Sequence, residues 1–224
     1  MDEPLFEHVL RERSKAEAPL ARRVSPRTLD EIIGQEHILG PGQPLRRAIE
    51  SDRFTSLILY GPSGTGKTAL ARVIALRTRG AFAPLNAVTA GVADVRRLIS
   101  EADRRLLEDG RRTIVFIDEI HRFNRAQQDA LLPDVENGRI VLIGATTENP
   151  FFSVNAPLLS RSLVFEFRRL EEADLIRLLE RVLIHPDRGF PGLTVTAAPD
   201  ALQHIVRCAE GDARRALTIL ELCL

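Results

Sequence analysis

Ser56-Leu57-Ile58-Leu59-Tyr60-Gly61-Pro62-Ser63-Gly64-Thr65-Gly66-Lys67-Thr68 fixes the architecture expected of this chain. Five residues suited to a buried strand run into G-x-x-x-x-G-K-[ST], and a helix-period segment from Ala69 to Arg77 follows. Strand, glycine-rich loop and helix in that order are the setting a phosphate-binding loop requires. The glycines let the loop curl around an anion with successive backbone N–H groups pointing inward, and the positive end of the following helix lies against the same phosphates. The cradle is therefore read as Gly61, Pro62, Ser63, Gly64, Thr65, Gly66, Lys67, Thr68 and Ala69, with ATP and Mg2+ as its expected ligands. Lys67 reaches the β- and γ-phosphates in this reading, and the Thr68 hydroxyl goes to the metal.

Outward from the loop, 224 residues that are 44% hydrophobic suffice for one substantial core, or for a core with a small satellite domain. No run approaches the roughly 18 apolar residues of a membrane span, and Met1-Asp2-Glu3 lacks the positive start of a secretory signal, so a cytoplasmic protein is expected. Two cysteines, Cys208 and Cys223, are too few for a disulfide framework or a metal knuckle. Cys208 lies beside Leu202, Ile205, Val206 and Ala209 and is expected to be a buried, inert thiol. Basic and acidic residues balance at 31 each, so net charge does not advertise nucleic acid, and any DNA contact has to come from a local patch.

In chain order, residues 1–23 are charged and weakly periodic and read as an arm or linker, in which Pro4-Leu5-Phe6-Glu7 suits a frayed terminus better than a docking peptide. Between Val24 and Gly42 two turn signals frame a short helical pattern. Ile32 and Ile33 suit an apolar wall for adenine there, and equally suit a surface helix. Apolar runs at 82–86, 113–117, 140–145 and 163–167 add four strands to the first, and Val95, Leu98, Ile99, Ala102 and Leu106 recur at helical spacing between them. Strands alternating with helices, several of them continuously apolar, predict an α/β fold with a five-stranded parallel sheet over residues 24–168. Beyond it three apolar stripes at helical spacing (Leu175 to Leu183, Leu202 to Ala209, Ala216 to Leu224) predict a small helical lid domain over 169–224. The apolar finish Ile219-Leu220-Glu221-Leu222-Cys223-Leu224 suggests that this lid is incomplete.

Ile114-Val115-Phe116-Ile117-Asp118-Glu119 is the second informative stretch, an apolar strand ending in adjacent carboxylates. Mg2+ takes hard oxygen ligands and an attacking water needs a base. Because side chains alternate along a strand, Asp118 is assigned to the metal and Glu119 to the water. Thr146, Thr147, Glu148 and Asn149 end a further buried strand in groups able to orient a water or read the γ-phosphate.

The order of Gly61 to Thr68, Asp118-Glu119-Ile120-His121, Gly144 to Thr147, Leu159-Ser160-Arg161 and Gly211-Asp212-Ala213-Arg214 resembles AAA+ ATPases of the clamp-loader and branch-migration group. Within that group it resembles the replication-associated recombination protein A family, also called MgsA, with the Werner helicase-interacting protein as its eukaryotic relative. The distinctive strings are Pro26 to Glu31 with Gly34 to His37, Asn86 to Val92, and His121-Arg122-Phe123-Asn124-Arg125-Ala126-Gln127-Gln128-Asp129-Ala130-Leu131-Leu132-Pro133. The resemblance implies Thr147, or more weakly Asn149, as the sensor 1 residue, Arg161 as an arginine finger acting on a neighbouring subunit's nucleotide, and Arg214 as sensor 2.

It also implies a DNA-dependent ATPase working at stalled forks, gaps or duplex ends, associated with the nucleoid and meeting single-strand-binding and other replication proteins. The family continues past the position of Leu224 into a tetramerisation region, so a homotetramer is expected of the full-length protein and a monomer of this chain. Two rivals share the nucleotide site: a Holliday-junction motor or clamp-loader-like subunit, and an adaptor whose bound nucleotide switches the recruitment of replication proteins.

Overall fold

The computed structural model describes residues 18–193 and 195–224. Two compact units emerge, one of residues 26–169 and one that joins the segment up to Ser25 to residues 170–224.

The first unit is built on five parallel strands: β1 (Ser56–Tyr60), β2 (Ala81–Asn86), β3 (Thr113–Asp118), β4 (Ile140–Thr146) and β5 (Leu163–Glu166). Their spatial order is β2-β3-β4-β1-β5. Period-two alternation explains the double cover. Leu57, Leu59, Ile114, Phe116, Val141, Ile143 and Ala145 point to one face, against helices α1 (Pro44–Ser51) and α2 (Lys67–Arg77). Ile58, Val115, Ile117, Ile140 and Leu142 point to the other, against α3 (Val92–Asp109) through Val95, Leu98 and Ala102. The predicted α/β sheet is thus present, with its strands ending within one residue of expectation. Edge strand β2 accommodates Pro84, which a central strand could not.

One expectation changes in this unit. The helical pattern expected before α1 is split into a 3-10 turn at Leu29–Glu31 and a single helical turn at Glu36–Leu39. Gln35, between them, is 1% exposed, and its side-chain amide both donates to the Arg168 carbonyl (2.8 Å) and accepts from the Arg168 N–H (3.1 Å). A buried polar side chain satisfied on both ends is costly to lose, so Gln35 acts as a rivet between this segment and the residues following β5.

The second unit packs α4 (Glu172–Leu183), α5 (Pro199–Ala209) and α6 (Ala213–Leu222) through Leu175, Leu178, Leu179 and Val182, then Leu202, Ile205, Val206 and Ala209, then Ala216, Leu217 and Leu220. Leu224 departs from the expected stripe, being 56% exposed beyond the last helical turn. Cys208 is half-buried rather than buried, with its sulfur 3.8 Å from His204 Nε2 one turn earlier on α5.

The segment set apart as an arm contributes to this unit. Leu20–Arg23 form one helical turn in which Leu20 is fully buried, its N–H donates to Glu221 Oε1 (2.8 Å), and Arg23 pairs with the same oxygen (3.3 Å). The rest of the expected arm, residues 1–17 with Pro4-Leu5-Phe6-Glu7, lies outside the described residues.

Candidate functional site

The site collects at the carboxyl ends of β1, β3 and β4, where loops leave an α/β sheet and ligands bind. The loop after β1 is shaped by glycines that no other residue replaces. Gly61 has φ 139°, and a Cβ there would lie 2.1 Å from the Phe167 carbonyl oxygen. Gly64 and Gly66 also have positive φ, at 66° and 105°, and Gly66 precedes the first residue of α2 with no side chain capping the helix. The uncapped N–H groups and the dipole of an 11-residue helix then face the loop. Lys67 is 8% exposed and its Nζ donates to the carbonyls of Gly61 (2.6 Å) and Pro62 (2.7 Å), which holds the ammonium inside the loop's curve.

Gly61→Ala is accordingly expected to weaken nucleotide binding more than tenfold. It should also lower stability by about 2–3 kcal/mol, from a strained φ and a backbone clash. Titration with a fluorescent ATP analogue alongside urea unfolding checks both.

The segment before α1 runs beside this loop. The nearest approach to a Cβ built on Gly66 is Ile32 Cγ2 at 3.9 Å. Ile32 also packs on the core, while Ile33, the expected adenine contact, is half-exposed. His37 Nε2 lies 3.0 Å from the Glu166 carbonyl, so this segment is fastened to the end of β5 at two points.

Asp118 is the last residue of β3 and is exposed. Glu119 is no longer part of the strand. It has φ 54° and ψ 51°, a left-handed conformation uncommon outside glycine and asparagine. Strand alternation is therefore not what separates the two carboxylates: the chain turns sharply at Glu119, and a 3-10 turn over Ile120–Arg122 follows. The turn aims Glu119 at the end of β4, where its Oε2 accepts from the Thr147 N–H (3.2 Å) and the Thr147 hydroxyl (3.3 Å). β4 lies between β1 and β3, and the Gly61 N–H donates to the Thr146 carbonyl (3.1 Å), so Thr147 stands between phosphate loop and carboxylates. Asn149, the weaker sensor candidate, instead caps the turn Pro150–Ser153, its side chain accepting from the Phe151 N–H (3.0 Å).

Two predicted residues lie elsewhere. Arg161 precedes Ser162, whose hydroxyl is 2.7 Å from that of Ser56 at the start of β1. The phosphate loop leaves the other end of β1, five residues or roughly 17 Å away at about 3.3 Å per residue. Arg161 is exposed there, paired through Nε with Glu136 and donating to the Pro157 carbonyl (2.9 Å). It is too far to serve the nucleotide of its own chain. Arg214 belongs to the helical unit, where it is exposed in the first turn of α6 after the capping residue Asp212. Its neighbour Arg215 pairs with Glu210 (3.5 Å).

The string from His121 to Pro133 proves to be mostly a fastening. Gln128 is 3% exposed, donates to the carbonyls of Phe123 (3.0 Å) and Ser153 (3.3 Å), and accepts from the Asn155 N–H (2.8 Å). Gln127 closes a capping box with Asn124 and donates to the Ala90 carbonyl (2.6 Å). Among the described residues no group of three or more His, Cys, Asp and Glu could hold a metal. Mg2+ takes only one or two ligands from protein beside waters and phosphate oxygens, and Thr68 in the first turn of α2 and Asp118 at the carboxyl end of β3 are oxygen-bearing residues at the same end of the sheet.

Residues 57–170 match the ATPase family associated with various cellular activities (AAA). An uncharacterized AAA domain-containing protein of Mycobacterium tuberculosis is 51% identical over 93% of this chain and 45% of its own length. Replication-associated recombination protein A of Coxiella burnetii is 48% identical over 91% of this chain and 46% of its own. The chain spans about half the length of these relatives. Among solved structures, the Thermotoga maritima RuvB Holliday junction branch migration motor superposes with a TM-score of 0.70 at 26% identity, over 89% of this chain and 64% of that one.

Proposed function

Because this chain belongs to the AAA ATPases and, within them, to the replication-associated recombination protein A family, we propose that it is the nucleotide-hydrolysing part of a DNA-dependent ATPase. Its DNA targets in this reading are stalled forks, gaps and duplex ends. In this reading it works in the cytoplasm on the nucleoid, beside single-strand-binding and replication proteins. No helix of the described residues is long and apolar enough to cross a membrane.

The observation that carries the reading is the placement of Glu119 and Thr147 beside the phosphate loop while Arg161 stands at the opposite end of β1. The loop N–H groups and Lys67 hold the triphosphate, and Ile32 and Ile33 border the adenine. Glu119 accepts a proton from the attacking water, Thr147 orients that carboxylate, and Arg161 of a second copy neutralises charge on the γ-phosphoryl as it transfers. Arg214, in the first turn of α6, is the sensor 2 residue in this reading. Thr68 and Asp118 would hold Mg2+, which would neutralise the phosphate oxygens when bound.

Phosphate release is the test, measured across a wide range of protein concentration with no DNA, forked DNA or a four-way junction. A rate rising more than linearly with protein and increased most by forks is the expected result. Stimulation by the four-way junction alone would favour a branch-migration motor, in keeping with the RuvB likeness. Rates indifferent to every DNA would leave an ATP-switched adaptor.

A further inference from the structure

His121 has no part in the mechanism above, yet its ring sits at the centre of the base. Its side chain is 7% exposed. Nδ1 lies 3.1 Å from Glu119 Oε2 and 2.9 Å from the hydroxyl of Thr146, which is itself fully buried. Nε2 faces Glu148 Oε1 at 3.5 Å. The left-handed turn at Glu119 makes this possible: it reverses the chain so that a side chain two residues on faces back onto the Glu119 carboxylate.

The hydrogen-bond inventory of that carboxylate is lopsided. Oε2 accepts from the Thr147 N–H and the Thr147 hydroxyl and lies 3.1 Å from His121 Nδ1, which is hydrogen-bonded with the Thr146 hydroxyl, whereas Oε1 has no donor among the described residues. A carboxylate oxygen only accepts, so the ring nitrogen facing it carries the hydrogen. One oxygen is thus held by two hydrogen bonds from Thr147 with the imidazole ring against it, and the other is left with its lone pairs for a water. A base whose rotamer is fixed before the water arrives has no reorganisation left to make during the reaction.

We propose that His121 is a positioning residue that, with Thr147, locks Glu119 Oε2 and so presents Oε1 to the attacking water. The inference rests on Glu119 being the base. His121 touches neither nucleotide nor water, and its effect belongs in kcat and not in binding.

Three substitutions test it, because asparagine places its amide nitrogen near the position of Nδ1 whereas glutamine reaches the position of Nε2. His121→Ala should lower kcat about tenfold, the lower end of what the outer partners of a working group contribute, with KM for ATP unchanged. His121→Asn should recover most of that loss and His121→Gln little of it. The 15N resonance of the Thr147 amide, which donates to the same oxygen, is the readout independent of turnover. It should move in the alanine and glutamine variants and stay near the wild-type position in the asparagine variant.

Equal rates in all three variants, equal losses in asparagine and glutamine, or a Thr147 resonance unmoved throughout would overturn the proposal. If the unsubstituted protein does not turn over ATP, the catalytic reading fails, and the amide resonances still decide whether His121 holds the carboxylate. Should His121→Ala not fold, the asparagine and glutamine pair carries the test.

Discussion

Arg161→Ala is expected to lower ATP turnover by roughly 10³-fold, the lower end of what an arginine finger contributes, while ATP binding stays within about twofold of the unsubstituted protein. Within one chain, Arg161 and the phosphate loop lie at opposite ends of β1, so its removal leaves the cradle untouched. The sharper form of the experiment mixes two inactive proteins. Lys67→Ala lacks the ammonium of the cradle but keeps Arg161; Arg161→Ala has the complementary defect. If Arg161 acts across an interface, mixing assembled copies restores part of the lost activity, because some neighbours pair an intact cradle with an intact finger. Phosphate release that stays at the sum of the separate proteins, or an Arg161→Ala protein with full turnover, would show that the guanidinium serves only its local bonds, to Glu136, the Pro157 carbonyl and the Ser160 hydroxyl. That pair is about half exposed on both sides and adds little to stability, so the variant should unfold at nearly the same urea concentration.

Glu119→Gln is the second large effect. The substitution preserves size and keeps an oxygen able to accept from Thr147, but it removes the base. Turnover should fall about 10²- to 10⁴-fold, as for loss of a positioned general base, with ATP bound as tightly as before or tighter. A stopped-flow measurement of one turnover separates this from slow product release. A glutamine variant with an undiminished chemical step would move the base elsewhere in the site.

Much of this was legible in the chain itself. The strands were readable because central parallel strands are buried on both faces and so appear as unbroken apolar runs, and the loop because phosphate recognition by backbone demands glycine at fixed spacing. Asp118 and Glu119 followed as polar residues ending such a run, whereas Thr147 was singled out among the polar residues 146–149 by the family resemblance. What escaped were polar residues whose partners are backbone groups far along the chain. Gln35 bonds to a residue 133 positions away, and Gln128 ties the loop at Phe123 to the segment 153–155. No periodicity marks such a residue. Leu20 escaped because one helical turn is too short to show a period, although its N–H meets a carboxylate near the other end of the chain. The separation of Asp118 from Glu119 was foreseen for the wrong reason, since a left-handed residue leaves no signature when it is not glycine.

That left-handed residue also bears on how the protein tolerates change. Asparagine or glycine would sit at φ 54° and ψ 51° with less strain, by roughly 1 kcal/mol relative to an ordinary side chain. Position 119 is thus a place where heat resistance and turnover pull the sequence in opposite directions. A variant library screened for thermal stability alone would drift away from glutamate there, and its most robust members would be its least active.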